Sequence, residues 1–370
     1  MRKILGLIFA AVIMFSCSTS FAEELIEASG NYVMDSRLDE TPASATSRAR
    51  EEAKRAAIEK AGVYLQSYSK TVDFELVEDE VETVAARLLK IQSESSNVEV
   101  VEKNLLKFTV TIKALIDELD ENELKAIIQN KQSLAEETRK YKELQKDYDA
   151  LKKQMEQLKR DYNTANDAQK VEIKKKVARN SMNFSAVDAT SRGNDFYFAK
   201  DYAQALAAYD EAVMLNPNYA EAYNNRGIVK YELGQYAEAI SNYTMAIKLN
   251  PQFFFALNNR GNARAALGQF QDAEQDLKAA LRLNNNNATI HNNLGSVYYS
   301  LKNYDAALDE YTQAIQLNPN FAEAYYNRGA IYYGQKKYLE ALADIRKSLN
   351  LNNADDATRE LLNKISNKVN

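Results

Sequence analysis

Over residues 186–355 this chain repeats itself every 34 residues, and few folds accommodate such a period. Asn225, Asn259, Asn293 and Asn327 recur at that step, as do Gly193, Gly227, Gly261, Gly295 and Gly329. Ala205, Ala239, Ala273, Ala307 and Ala341 keep it too. A period of this length belongs to a helical hairpin, which cannot bury its apolar face alone. The five copies must therefore stack into an all-α superhelix. Gly on the first helix and Ala opposite it let the backbones approach, and a large residue such as Tyr243 or Tyr311 fills the groove they leave.

Repeat two reads Tyr223, Arg226-Gly227, Ala239-x3-Tyr243 and Pro251, and repeat four reads His291, Leu294-Gly295, Tyr298, Ala307-x3-Tyr311 and Pro319. This pattern resembles the tetratricopeptide repeat. Pro217, Pro251 and Pro319 follow the second helix, where a residue without an N–H cannot continue it. Arg192, Arg226, Arg260 and Arg328 depart from the pattern by standing where it has Leu. A half-buried Arg requires an acceptor, which the sequence does not name. The resemblance implies a concave face, built by the first helices, that holds protein or peptide partners.

Residues 1–22 read as a signal peptide. Arg2-Lys3 is a basic start, the apolar run from Ile4 to Phe15 is too short to span a bilayer, and Ser20-Phe21-Ala22 is a small-x-small cleavage site. Export is expected, to the periplasm or cell envelope of a Gram-negative-type bacterium. Cutting after Ala22 removes two cations and takes the formal charge from −5 to −7. It also removes Cys17, the only cysteine, so the released chain offers no disulfide and no thiol. Cys17 has a second reading as a lipidated residue that would tether the protein to a membrane; Met14-Phe15-Ser16 matches a lipobox only loosely, which favours release.

Residues 23–118 read as a small α/β (α+β) domain. Leu25 to Met34 forms a strand interrupted at Gly30-Asn31, and Ala49, Ala53, Ala57 and Ala61 mark a helix. Val72, Phe74 and Leu76 alternate as a further strand, a second helix carries Val81, Val84 or Ala85, and Leu88, and a hairpin turns at Lys103-Asn104. The run Arg48-Ala49-Arg50, Ala53, Ala56-Ala57, Ala61-Gly62-Val63-Tyr64 is similar to the envelope domain of the lipoprotein 20 family and of flagellar assembly protein T. That similarity implies an envelope-facing assembly or anchoring module without catalytic residues.

Residues 119–165 contain neither Gly nor Pro, and Tyr141, Leu144, Tyr148, Leu151, Met155, Leu158 and Tyr162 alternate in steps of three and four. A heptad seam of this kind predicts a long coiled-coil helix. One narrow apolar stripe needs a partner, so homo-oligomerisation through the coiled coil is expected; the competing reading folds the stripe onto neighbouring domains. Residues 166–185 read as a short helix and linker, residues 186–355 as the five repeats, and residues 356–370 as a capping helix with Leu361, Leu362 and Ile365 inward.

The chain is poor in reactive groups. Its single histidine, His291, takes the core position held by Tyr223, Leu257 and Tyr325 in other repeats, and a lone His makes no zinc cluster. No phosphate-binding glycine loop is present. Neither a metal nor a cofactor is expected, and the chain reads as a non-enzyme. A net charge of −5 gives no footprint for nucleic acid.

What the pattern does supply is amides. Asn225, Asn259, Asn293 and Asn327 form one row along the predicted groove, flanked by Asn224, Asn258 and Asn292, with Asn194 and Asn262 one turn further on. Each amide both donates and accepts, so the rows suit the backbone of an extended peptide. They resemble the asparagine ladder in the tetratricopeptide part of O-linked N-acetylglucosamine transferases. The same amides serve equally well to satisfy neighbouring groups of the fold. A carboxylate-clamp groove is not expected, because Thr190, Phe255 and Asn259 stand where its cations belong. The sequence therefore describes an exported scaffold binding protein or peptide partners, with a purely structural component of an envelope or flagellar assembly as the alternative.

Overall fold

The computed structural model describes residues 25–71, 78–116, 131–351 and 356–369. Cys17 and Ala22, the strand expected at residues 72–76 and the first part of the spacer lie outside the described residues.

Three strands open the chain: β1 (Leu25–Asp35), β2 (Leu89–Glu102) and β3 (Leu105–Ile116), in the antiparallel order β1-β3-β2. Leu25 pairs with Leu115 and Asp35 with Leu105, so β1 runs unbroken through Gly30, contrary to the interruption expected there. Ile26, Ala28 and Met34 of β1 share a buried face with Phe108, Val110, Ile112 and Ala114 of β3. Helix α1 (Pro42–Thr71) lies on that face through Ala45, Ala49, Ala53, Ala57 and Ala61, a stripe of methyl groups that brings its backbone close to the sheet. Gly30 sits at the closest point. A Cβ there would lie 2.1 Å from the Ala49 carbonyl oxygen and 2.2 Å from the Ala53 nitrogen. Helix α2 (Glu78–Leu88) adds Val81, Val84, Ala85 and Leu88 to the same core.

Two long helices follow, α3 (Lys131–Thr164) and α4 (Asp167–Phe198). Between them Asn166 closes a capping box: its side chain accepts from Gln169 N, and Gln169 Oε1 accepts from Asn166 N, both at 3.0 Å. The turn folds α4 back along α3. The heptad stripe is thereby covered by its own chain, as in the competing reading of it rather than in a self-associating coiled coil. Tyr148, Met155 and Leu158 are 3%, 2% and 7% exposed, packed with Ile173, Val177 and Phe184 of α4 and with Leu38, while Leu134 and Tyr141 reach the core of the small domain. Residues 166–185 are likewise no linker. They form the first half of α4, whose second half is the first helix of repeat one.

The remaining hairpins are α4 with α5 (Tyr202–Leu215), α6 (Ala220–Glu232) with α7 (Tyr236–Leu249), α8 (Phe254–Ala266) with α9 (Phe270–Leu283), α10 (Ala288–Ser300) with α11 (Tyr304–Leu317), and α12 (Ala322–Gly334) with α13 (Tyr338–Leu351). They stack as a superhelix, and α14 (Asp356–Val369) closes it by burying Ile365 against Ala341 and Ile345. At each crossing the Gly makes room for a large side chain: a Cβ on Gly227 would stand 2.6 Å from the Tyr243 ring.

The anomalous arginines find acceptors on the second helices, and Arg192 finds one on its own helix as well. Arg260 is bidentate to Asp276 at 2.7 and 2.8 Å and Arg328 to Asp344 at 2.8 Å, while Arg226 donates to Asn242 at 2.7 Å and to Asp210 of the previous repeat at 2.6 Å. Arg192 reaches Asp188 and Glu211. Polar pairs thus replace the apolar contact the usual Leu would make, and each stays satisfied at a half-buried site.

The small domain docks on this array through α1. Arg48 is buried between the rings of Tyr32 and Phe184 (4.7 and 4.0 Å to the centroids), paired with Glu40, and within 3.4 Å of Ser181. Lys54 donates to Asp195 at 2.6 Å and to Ser191 at 2.9 Å. Small domain, helical hairpin and repeats are therefore packed against one another within one chain.

Candidate functional site: the inner face of the repeats

The first helices of successive repeats stand side by side, and their asparagines join them. Asn225 Nδ2 donates to Asn194 Oδ1 at 3.1 Å, Asn259 Nδ2 to Asn224 Oδ1 at 3.1 Å, Asn293 Nδ2 to Asn258 Oδ1 at 2.9 Å, and Asn327 Nδ2 to Asn292 Oδ1 at 3.1 Å. Within repeats two and three, Asn224 donates to Asn225 (3.1 Å) and Asn258 to Asn259 (3.3 Å); in repeat four, Asn292 turns to Glu323 Oε1 instead (3.1 Å). Asn194 also accepts from Tyr209 at 2.7 Å.

The two rows separate by burial. Asn224, Asn258 and Asn292 are 2%, 8% and 1% exposed, and their amides are spent inside the protein. Asn225, Asn259, Asn293 and Asn327 are half-buried, and each commits one of its two N–H groups to the preceding repeat. An amide carries two donors and a carbonyl oxygen with two lone pairs, so each keeps at least one of both for a ligand. Asn262 is half-buried and makes no side-chain hydrogen bond among the described residues. The packing use anticipated from sequence is therefore present in the inner row, while the outer row keeps part of its hydrogen-bonding capacity.

Not all of the face is open. Leu144 and Glu143 of α3 line a small pocket together with Asn194, Asn224 and Asn225, and Leu144 lines a second with Asn194, Asn225, Tyr197 and Ile228. The rung at Asn194 and Asn225 is thus walled by the chain's own helix. Asn259, Asn293 and Asn327 lie beyond it. Neighbouring packed helices stand about 8–10 Å apart, roughly three residues of extended chain at about 3.3 Å each. Three open rungs therefore match a segment of about seven residues.

Where α3 meets the repeats, carboxylates gather. Burial raises the Glu221 carboxyl to about 7, with nearby Asp147 and Glu143 acting in the same direction. Burial also raises Asp147, which accepts from the Tyr219 hydroxyl at 3.2 Å. No sequence signal marks this cluster, because only the backfolding of α3 brings its members together. His291 is a satisfied half-buried residue: Nδ1 lies 2.6 Å from Glu310 Oε2 and Nε2 3.1 Å from the Asn285 carbonyl, and the bond to Glu310 raises its pKa. Among the described residues no group of three or more His, Cys, Asp or Glu has metal-holding geometry, and no helix is long and apolar enough to cross a membrane.

Comparison with known proteins bears on the repeats. Models of the tetratricopeptide repeat match residues 193–234, 220–253, 242–275, 261–302, 295–336 and 322–355. No curated protein matches. Among solved structures, MamA is similar at 27% identity, covering 43% of this chain and 93% of its own with a TM-score of 0.40. A thermophilic tetratricopeptide protein of Thermus thermophilus, TTC0263, is similar at 24% identity, covering 50% and 98% with a TM-score of 0.42. The first such domain of Spaghetti (RPAP3), solved with the HSP90 peptide SRMEEVD, is similar at 27% identity over 32% of this chain and 95% of its own, with a TM-score of 0.32. Residues 193–355 of this chain are an array of tetratricopeptide repeats.

Proposed function

We propose that this chain is an exported, non-catalytic scaffold of a bacterial cell envelope, and that the open part of its repeat groove holds extended protein or peptide segments. The observation that carries the groove reading is the outer amide row. Asn259, Asn293 and Asn327 each retain an N–H and carbonyl lone pairs on a wall whose inner row of amides is spent within the fold. Tyr299, 49% exposed at the same face, adds apolar surface. Export is supported by the residues of the amino terminus, Arg2-Lys3, the apolar run that follows and Ser20-Phe21-Ala22. The envelope setting is supported by the resemblance of the small domain to lipoprotein 20 and flagellar assembly modules. Release after Ala22 leaves a free protein, and lipidation of Cys17 would tether it; mass spectrometry of the mature amino terminus distinguishes the two.

The groove is tested with a photocross-linking phenylalanine analogue placed at Tyr299, inside, or at Gln313, on the exposed side of a second helix. In cells, position 299 yields discrete adducts that position 313 does not. No adduct from 299, or the same adducts from both, overturns the groove reading. A second reading, in which the repeats serve only as packing surface of an assembly, draws on one observation: α3 already occupies the start of the inner face.

A further inference from the structure

This inference rests on the groove reading and names the chemistry of the occupant. The first helices of repeats two to five carry five Lys and Arg residues, and every one is turned away from the inner face into an acidic partner on a second helix. Arg226 pairs with Asp210 at 2.6 Å, Lys230 with Glu238 at 2.9 Å, Arg260 and Arg264 both with Asp276 at 2.7 Å, and Arg328 with Asp344 at 2.8 Å.

The charge left at the open rungs is negative. Glu323 is exposed beside the open rungs; its Oε1 holds Asn292, and Oε2 makes no hydrogen bond among the described residues. The walled end carries both signs, Glu221 and Glu143 with Lys54 and Arg87, so the bias lies at the open rungs. Asn259, Asn293 and Asn327 supply neutral donors and acceptors on the same wall as Glu323. Such a surface attracts a cation at Glu323 and disfavours carboxylates there, and the first helices of repeats two to five leave no unpaired Lys or Arg to hold a terminal carboxylate.

We infer that the open groove takes an extended polypeptide segment bearing Lys or Arg and lacking Asp and Glu, its main chain on the amide rungs and a cation against Glu323. The preference is electrostatic, so it weakens with salt while the main-chain contacts persist.

The test uses the full chain, immobilised, and a random octapeptide library acetylated at one end and amidated at the other, so that only side chains carry charge. Retained peptides are expected to be enriched in Lys and Arg and depleted in Asp and Glu. Glu323→Gln is expected to lower the affinity of a selected basic peptide about threefold, the scale of one exposed ion pair, and Glu323→Lys to shift retention toward acidic peptides. Because Glu323 is exposed, both variants keep the fold, which thermal unfolding verifies. Enrichment of acidic residues, or retention without charge bias that Glu323→Lys leaves unchanged, overturns the inference and leaves the groove standing. Retention of no peptide by the wild-type chain overturns the groove reading, and this inference with it.

Discussion

Asn293 reaches back to Asn258, Nδ2 to Oδ1 at 2.9 Å, so the groove of one repeat is fastened to the core of the one before it. Asn258 in turn donates to Asn259, which donates to Asn224. The amides proposed to hold a ligand thus also fasten the fold, and substitutions along the rows have unequal costs.

Asn258→Ala removes a buried amide and leaves the Asn293 N–H and the Asn259 carbonyl each short of a partner. Loss of such a bond costs about 1–3 kcal/mol. Asn262→Ala, at a half-buried site without a bond, should stay within about 0.5 kcal/mol of wild type. Urea unfolding of the two variants checks this, and equal midpoints would remove the fastening role of the inner row.

Gly30→Ala should disturb the small domain far more than its one added methyl suggests. The new Cβ meets backbone atoms of α1 at 2.1 and 2.2 Å, and a backbone cannot swing aside as a side chain does. Overpacking of this kind costs about 1–3 kcal/mol or more. A melting temperature unchanged from wild type would contradict the close approach of helix and sheet.

Repeats and turn positions were legible because a 34-residue period in Gly, Ala and Asn dictates hairpin geometry residue by residue. The alanine stripe of α1 was equally plain. What could not be read was which surface each stripe meets. The seam on α3 satisfies a coiled coil and an intramolecular hairpin equally well, and the deciding features are the capping box at Asn166 and Gln169 and the apolar Ile173, Val177 and Phe184 that follow. The inner and outer amide rows likewise share one spacing, and only their burial separates a fastening from a rung. Gly30 misled because a glycine within a strand signals either an irregularity or a close approach.

The α3 crossing should make stability depend on pH. Glu221 has its folded pKa raised above the usual carboxylate value to about 7, chiefly by burial. Its contribution is therefore complete below the unfolded value near 4.5 and declines as pH rises through about 7, where the buried group must ionise beside Asp147 and Glu143. Burial raises Glu51, on α1, in the same direction, so the two slopes add. Glu221→Gln should flatten part of the decline between about pH 4.5 and 7, leaving the remainder to Glu51. Unfolding midpoints across that range provide the measurement; an unchanged profile in the variant would exclude Glu221 as a source.

Removing α3 from its seat distinguishes the packed chain from a self-associating one. If the heptad seam joined copies, Met155→Asp would turn an oligomer into a stable, folded monomer, since a charge in a seam breaks the interface and spares the protomer. In this structure Met155 is 2% exposed against the chain's own α4, with Leu158 and Tyr148 beside it. A carboxylate there is buried without a partner and must either unseat α3 or take up a proton. The wild-type chain should therefore sediment as a monomer from low to high micromolar concentration, and Met155→Asp should leave that mass unchanged while lowering the melting temperature and opening the wall beside Asn225. A wild-type dimer that the substitution converts into an equally stable monomer would return the stripe to the role of an intermolecular seam, and with it the whole inner face to open groove.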